Sequence, residues 1–334
     1  MIDLHLHLDG SLSPALVRRL AQMQGMRLPD AFEELLAAPD PCGSLEEYLK
    51  RFELPLSVMQ GEESIAASVE DLLARLDAMG LLYAEIRFAP QLHTSGGLSQ
   101  TQVVEAALSG LRGAKWRGPV RPQLILCLMR GAENTRQNQE TLRVAERYLG
   151  DGVAAVDLAG GEAAYPTAAF EEMFVLAKKK NIPFTIHAGE AAGADSVAAA
   201  VRFGATRIGH GVHAVTDPGI LSELQEKGIL LELCPTSNLQ TGAVASLACY
   251  PLRSFLEAGV PVCLNADNMT VSGTDVWREY RVAFAQLGIS RRECAALLSD
   301  AAAFAFLPAG ERRKLLDAVA QNIREGALEL HGIR

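Results

Sequence analysis

The chain of 334 residues is poor in the signals that mark secreted, membrane or nucleic-acid-binding proteins. Its six cysteines (Cys42, Cys127, Cys234, Cys249, Cys263 and Cys294) are scattered, with no CxxC. Most sit in apolar runs, so they read as reduced core residues and not as a disulfide framework. No uninterrupted apolar stretch is long enough to span a bilayer, so no membrane partner is expected. Nothing at the start resembles a signal peptide, because Met1 runs almost directly into a polar-studded strand; a cytoplasmic location is the expectation. Net charge is −9, and the basic run Lys178–Lys180 precedes Asn181 at a predicted helix end, where lysines favour the helix dipole. Nucleic acid is a poor partner for that balance. HExxH, GxSxG and P-loop motifs are also missing, which removes those chemistries. No linker, low-complexity segment or second domain is visible, and residues 1–334 read as one domain.

What the chain does contain is alternation. Short apolar or β-branched runs recur at Ile2–Leu8, Leu82–Phe88, Gln123–Met129, Val153–Leu158, Pro183–His187, Arg207–Gly211, Leu230–Cys234 and Val260–Leu264. Amphipathic stretches such as Gln102–Lys115, Glu140–Leu149, Ala168–Lys180 and Ala194–Phe203 lie between them. Eight such repeats predict an α/β fold, a closed parallel (β/α)₈ TIM barrel, over a doubly wound sheet. A helical insertion of residues 10–80 separates the first two strands. It includes Ser44–Phe52, with Ser44 as N-cap and Glu47 three residues on. Leu49, Phe52 and Leu56 either face a ligand as a lid or pack on the barrel rim. Residues from Arg291 to Arg334 read as extra C-terminal helices.

Polar residues gather where these strands end. "HLHLDG" closes the first strand, Asp157–Gly160 the fourth, "HAGE" the fifth, "RIGHG" the sixth, and "NADN" the eighth. His5 and His7 are two apart in a strand and share a face; alone they read either as half a metal site or as bonded core histidines. Four of the seven histidines (His5, His7, His187 and His210) fall at strand C-termini, which converge on one mouth in a barrel. Three imidazoles and a carboxylate suit zinc with an open position, and His5, His7, His187 and Asp267 are the candidate ligands. A second metal would need further bridging groups, and strand four has no lysine, so one Zn²⁺ per chain is expected. Glu190 and His210 remain beside it, one to hand over a proton and the other to orient water. The HxxE of "HAGE" differs from the HxE and PCxxC pattern of cytidine-type zinc deaminases.

Taken in order, HxHLDG, DLAG, HAGE, RIGHG, CPTSN and the final N-x-D-N, spanning residues 5–268, resemble the adenosine deaminase family within the amidohydrolase superfamily. The resemblance implies a (β/α)₈ barrel, one Zn²⁺, and hydrolytic removal of the 6-amino group of a purine nucleoside as ammonia. It implies that His5, His7, His187 and Asp267 hold the metal, and that Glu190 donates a proton to purine N1. It also implies that His210 activates or orients the zinc water, and that the Gly160 backbone contacts the N3 edge.

The same resemblance places Asp9 at the ribose 5′-hydroxyl, where relatives acting on free adenine carry Glu; a turn or N-cap aspartate is the plainer alternative. His7 and Asn268 join the substrate contacts. Asn268 stands where animal members carry a second Asp facing N7, and an amide donates there without needing a proton. A phosphorylated substrate would want a free Arg or Lys. Arg207 and Arg87 are the candidates, but Arg87 is in phase with Glu85 and is expected in a buried ion pair with it. The leading expectation is deamination of adenosine and 2′-deoxyadenosine in purine salvage. The alternatives are another 6-aminopurine (adenine or a 5′-modified adenosine), or a non-catalytic nucleoside-binding protein. Oligomeric state is not legible.

Overall fold

The computed structural model describes residues 1–39, 41–330 and 332–333. Asp40, in the expected insertion, and His331 and Arg334, in the expected tail, lie outside the described residues. The strands are β1 (Ile2–His7), β2 (Tyr83–Phe88), β3 (Gln123–Met129), β4 (Val153–Ala159), β5 (His187–Ala188), β6 (Arg207–His210), β7 (Leu230–Leu233) and β8 (Val262–Leu264). All neighbours are parallel, in two four-stranded sheets, β1-β2-β3-β4 and β5-β6-β7-β8.

Single bridges join the two sheets on both sides. Val156 pairs with Phe184, and Leu6 pairs with Asp267 just past β8. The second seam carries His7 N–H to the Asp267 carbonyl at 2.7 Å and Asp267 N–H to the His5 carbonyl at 2.9 Å. The strands thus run round as the ring of a (β/α)₈ barrel, near-continuously buried as parallel strands must be. The expected fifth strand, Pro183–His187, is shortened to His187–Ala188. Pro183 brings no N–H to a ladder, and the residues before His187 reach β4 only through the isolated bridge.

Between β1 and β2 come α1 (Pro14–Met23), α2 (Phe32–Leu36), α3 (Leu45–Leu49), α4 (Glu53–Val58) and α5 (Glu62–Ala78). Ser44 caps α3 as expected, its hydroxyl accepting Glu47 N–H at 3.2 Å. The helix breaks at Leu49 into a 3₁₀ turn, Lys50–Phe52, that leads to α4. The outer ring continues with α6 (Gln100–Gly113), α7 (Thr135–Tyr148), α8 (Glu171–Lys179), α9 (Ala194–Phe203) and α10 (Pro218–Lys227), then α11 (Pro235–Gln240) and α12 (Leu252–Glu257). The tail is α13 (Val276–Gln286), α14 (Arg291–Phe304), α15 (Ala309–Arg324) and α16 (Ala327–Leu330). One apolar cluster extends from Met1 to Ile333. Four cysteines are buried, whereas Cys42 is half-buried and Cys249 exposed; all six are free.

The barrel interior is ionic, and the expected Arg87–Glu85 pair does not form. Arg87 instead donates to Asp157 at 2.9 Å and to Glu232 at 2.8 Å. Glu85 lies 2.6 Å from Arg207, which also reaches Glu232 at 2.6 Å. All five side chains are fully buried. Residues in phase along one strand need not meet when the barrel's tilt brings a partner strand closer. Both guanidinium groups are thus committed to buried carboxylates.

Candidate active site

Parallel strands ending together bring the polar ends to one mouth. His5 and His7 project from β1, His187 from β5, His210 from β6, and Asp267 follows β8. His7 Nε2 lies 3.2 Å from His187 Nε2 and 3.5 Å from Asp267 Oδ1, and His5 Nε2 lies 3.6 Å from that same oxygen. Two atoms bound tetrahedrally to one ion at about 2.0–2.2 Å stand roughly 3.3–3.6 Å apart. The observed spacings fit one ion between these four groups.

The buried His5 Nε2 has no hydrogen-bond partner. Its Nδ1 is occupied, 2.8 Å from Glu232. His187 Nδ1 likewise lies 2.8 Å from Asp157 Oδ2. A carboxylate on the far nitrogen fixes the tautomer and leaves the near one free to ligate. Arg87 therefore braces two candidate ligands at once, through Glu232 and Asp157. Burial opposes the charge on Glu232, but Arg207 and Arg87 hold its pKa down to about 2. Burial likewise opposes the charge on Asp157, and His187 and Arg87 hold it well below the ordinary range.

Asp267 and His210 both take left-handed backbone angles, φ 60° each, which non-glycine residues adopt only where surroundings enforce them. The enforcing contacts are the Asp267–β1 seam and the His187–β6 ladder. Burial lowers the pKa of His210 to about 4, so it is neutral at pH 7. Asn238 Nδ2 lies 3.0 Å from His210 Nδ1, and the Asn238 carbonyl accepts from Tyr250. With the amide donating, the His210 proton sits on Nε2, 3.6 Å from Glu190 Oε2. Glu190 is pushed up to about 7, chiefly by burial, while Thr241 donates to its Oε1 at 3.1 Å.

These groups line a cavity of about 270 Å³. Its polar side includes His7, Asp9, His187, Glu190, His210, Asp267 and Asn268, and Gly160 lies on its wall with φ 101°. Asp9 opens a 3₁₀ turn and accepts Gly10 N–H at 3.2 Å, so the local turn role and the cavity role coincide. Burial raises its pKa to about 6. Asn268 crosses Gly10 so closely that a Cβ there would stand 1.8 Å from Asn268 Oδ1, which is buried without a partner. The insertion supplies the apolar side: Leu45, Tyr48, Leu49, Phe52 and Leu56 line the cavity. Tyr48 ties it to the loop after β8, its hydroxyl 2.6 Å from Ser272 Oγ. Among the described residues the one Arg or Lys on the wall, Arg130, is committed to the Tyr165 and His187 carbonyls and the Thr167 hydroxyl.

Sequence reasoning did not assign Glu232, Asn238, Arg130 or Glu162. Asn238 was visible inside CPTSN. Glu232 and Arg130 sit within or beside apolar strands, where a lone charge was the available signal.

An adenosine deaminase family model matches residues 1–322. The chain is 49% identical over 329 residues to an adenosine deaminase of Haemophilus ducreyi, covering 96% of each. A solved adenine deaminase from Arthrobacter aurescens superposes with TM-score 0.86 at 27% identity, over 97% of this chain and 98% of that one. An amidohydrolase from Burkhoderia ambifaria, solved with bound Zn, superposes with TM-score 0.88 at 18% identity, over 98% and 91%, and shares the fold.

Proposed function

The chain belongs to the adenosine deaminase family, and on that premise we propose that it converts adenosine and 2′-deoxyadenosine, with water, to the 6-oxo nucleoside and ammonia. The observation that carries this reading is the convergence of His5, His7, His187 and Asp267 at ligand spacing beside a buried Glu190. Zinc is the proposed ion, and when bound it lowers the pKa of water towards neutrality.

The chain's own groups do the rest. Attack at C6 pushes electrons to N1, and a carboxylic acid there must be protonated to neutralise them. Glu190, raised to about 7, is the acid. His210, neutral and carrying its proton on Nε2, orients the nucleophile; of the two protons water brings, one replaces the proton Glu190 gives to N1 and the other leaves with the amino group as ammonia. Gly160 offers an N–H to the base, its positive φ and missing side chain allowing close approach. Asn268 faces the imidazole side of the purine. Asp9 takes the 5′-hydroxyl, and Leu49 and Phe52 close over the bound nucleoside and exclude water.

The test is ammonia release from adenosine, adenine and AMP in parallel, on zinc-loaded protein. Release from adenosine alone supports the reading. Release from adenine alone keeps the chemistry and removes the role given to Asp9. Silence on all three overturns it in favour of a modified nucleoside or a binding protein.

A further inference from the structure

Four consecutive backbone N–H groups converge on one buried carboxylate beside the catalytic loop. Glu162 Oε1 accepts Gly189 N–H at 2.7 Å. Its Oε2 accepts Glu190 at 3.0 Å, Ala191 at 2.7 Å and Ala192 at 3.1 Å. The Ser196 hydroxyl adds a fifth donor. Ser196 also contacts Thr167 at 2.6 Å, Thr167 accepts from Arg130 at 2.9 Å, and Arg130 donates to the His187 carbonyl at 2.6 Å. The network therefore brackets the segment from His187 to Ala192 at both ends.

The curl it holds needs a glycine at its start. Gly189 has φ 70°, and a Cβ there would stand 2.5 Å from Val197 Cγ2. The Gly189 carbonyl is gripped from the other side by the backbone N–H and Nδ1 of His213, each at 3.0 Å. A side chain leaving position 190 has its direction set by the peptide planes on either side, and Glu162 binds both of their N–H groups. The donors and Arg130 outweigh burial and keep Glu162 ionised, as an anion facing several N–H groups should be.

We propose that Glu162 is a positioning residue for deamination: its carboxylate fixes the curl of residues 189–192 and thereby aims Glu190 into the cavity. The proposal rests on the reading of Glu190 as proton donor. Glutamine at 162 keeps the shape but presents one acceptor oxygen and turns an NH₂ towards N–H groups, so the curl relaxes. A displacement of about 1 Å in a catalytic group costs about a hundredfold in rate.

The experiment compares wild type, Glu162→Gln, Glu190→Gln and the double variant, measuring kcat, KM and zinc content. Residual rates are read from ammonia released over long incubations. Glu162→Gln is expected to lose about a hundredfold in kcat, with KM within about threefold and zinc retained. The double variant is expected to be no slower than Glu190→Gln alone, because a residue acting through Glu190 has nothing left to aim. The proposal falls if Glu162→Gln turns over within about threefold of wild type, if zinc is lost with the rate, or if the two losses multiply. Should Glu162→Gln not fold, Ser196→Ala removes one of the five donors to Glu162, together with the Thr167 contact, and leaves the four backbone donors in place; a several-fold drop in kcat at constant KM supports the proposal, and no change overturns it. Wild type inactive on adenosine would remove the underlying reading, whereas active wild type with an unaffected Glu162→Gln removes this inference alone.

Discussion

His210 Nε2 stands 3.6 Å from Glu190 Oε2, and the same burial drives their proton affinities in opposite directions. The carboxyl is raised to about 7 and the imidazole lowered to about 4, so at neutral pH the acid can hold a proton and the imidazole none beyond its own. Environments that split a pair this way assign acid and orienting roles. Glu190→Gln is therefore expected to lower kcat by about 10²–10⁴-fold, the range for losing a general acid, while zinc content by atomic absorption stays at the wild-type level. Retention of most activity would remove Glu190 as the acid.

The pH profile follows with a definite sign. On the proposed role, Glu190 works protonated; its pKa is raised, so turnover is expected to be high below about 7 and to fall as pH rises through that value. The same shift bears on stability. A carboxyl whose folded pKa exceeds its unfolded value favours the fold fully at pH below about 4, and this contribution is lost as pH rises through about 7. Metal-free Glu190→Gln should then gain thermal stability over metal-free wild type at pH 8 and not at pH 5. A gain of equal size at both values would contradict the assigned shift.

Much of this site was readable because its residues sit in short strings at strand ends, where side-chain period and barrel topology leave little freedom. The strands themselves were marked by apolar runs, and β3 and α9 match their expected bounds. The fifth strand was overcounted because an apolar run before a histidine does not reveal that the residues ahead of His187 meet β4 through a single bridge. Arg87 was assigned the wrong partner for a different reason. Strand periodicity says which face a charge takes, but the partner comes from strands 70 and 145 residues away. Glu162 was invisible because its partners are backbone N–H groups, which any sequence supplies.

Asn268 tests how crowded with charge the cavity is. Asp9, Glu190 and Asp267 already line it. Asn268→Asp adds a fourth carboxyl, and like charge makes Glu190 harder to ionise. The alkaline limb of kcat is expected to move to higher pH. An unmoved limb in a pH–rate titration would show that the new group stays neutral or is screened from Glu190.

The insertion should act on binding more than on chemistry. Phe52 is half-buried beside His7, ring centroids 6.5 Å apart, and its apolar surface is free to gain cover from a nucleoside. Phe52→Ala is expected to raise KM for adenosine by roughly 10-fold or more, in line with losing about 1.5–3 kcal/mol of buried aromatic contact, with a smaller change in kcat. Tyr48→Phe, which breaks the tie to Ser272, should weaken binding less. A kcat-only effect in Phe52→Ala would place the residue outside the substrate's cover.

Arg87 carries the strongest structural prediction, because one guanidinium offsets two buried carboxylates that in turn brace two candidate ligands. Replacing a buried ion pair wholesale is often neutral, but removing one partner strands a charge. Arg87→Met leaves Asp157 and Glu232 facing each other across the barrel with less compensation, and is expected to cost about 3–5 kcal/mol in urea unfolding of the metal-free protein. Glu232 has a lowered pKa, so its contribution is present above about 4 and lost as pH falls towards 2. The deficit of Arg87→Met against wild type should accordingly shrink as the unfolding series is taken from pH 7 to pH 3. Adding Asp157→Asn to Arg87→Met should recover part of the loss at pH 7, since it removes one of the stranded charges. No recovery would mean that packing, and not charge, is what Arg87 contributes at the barrel's centre.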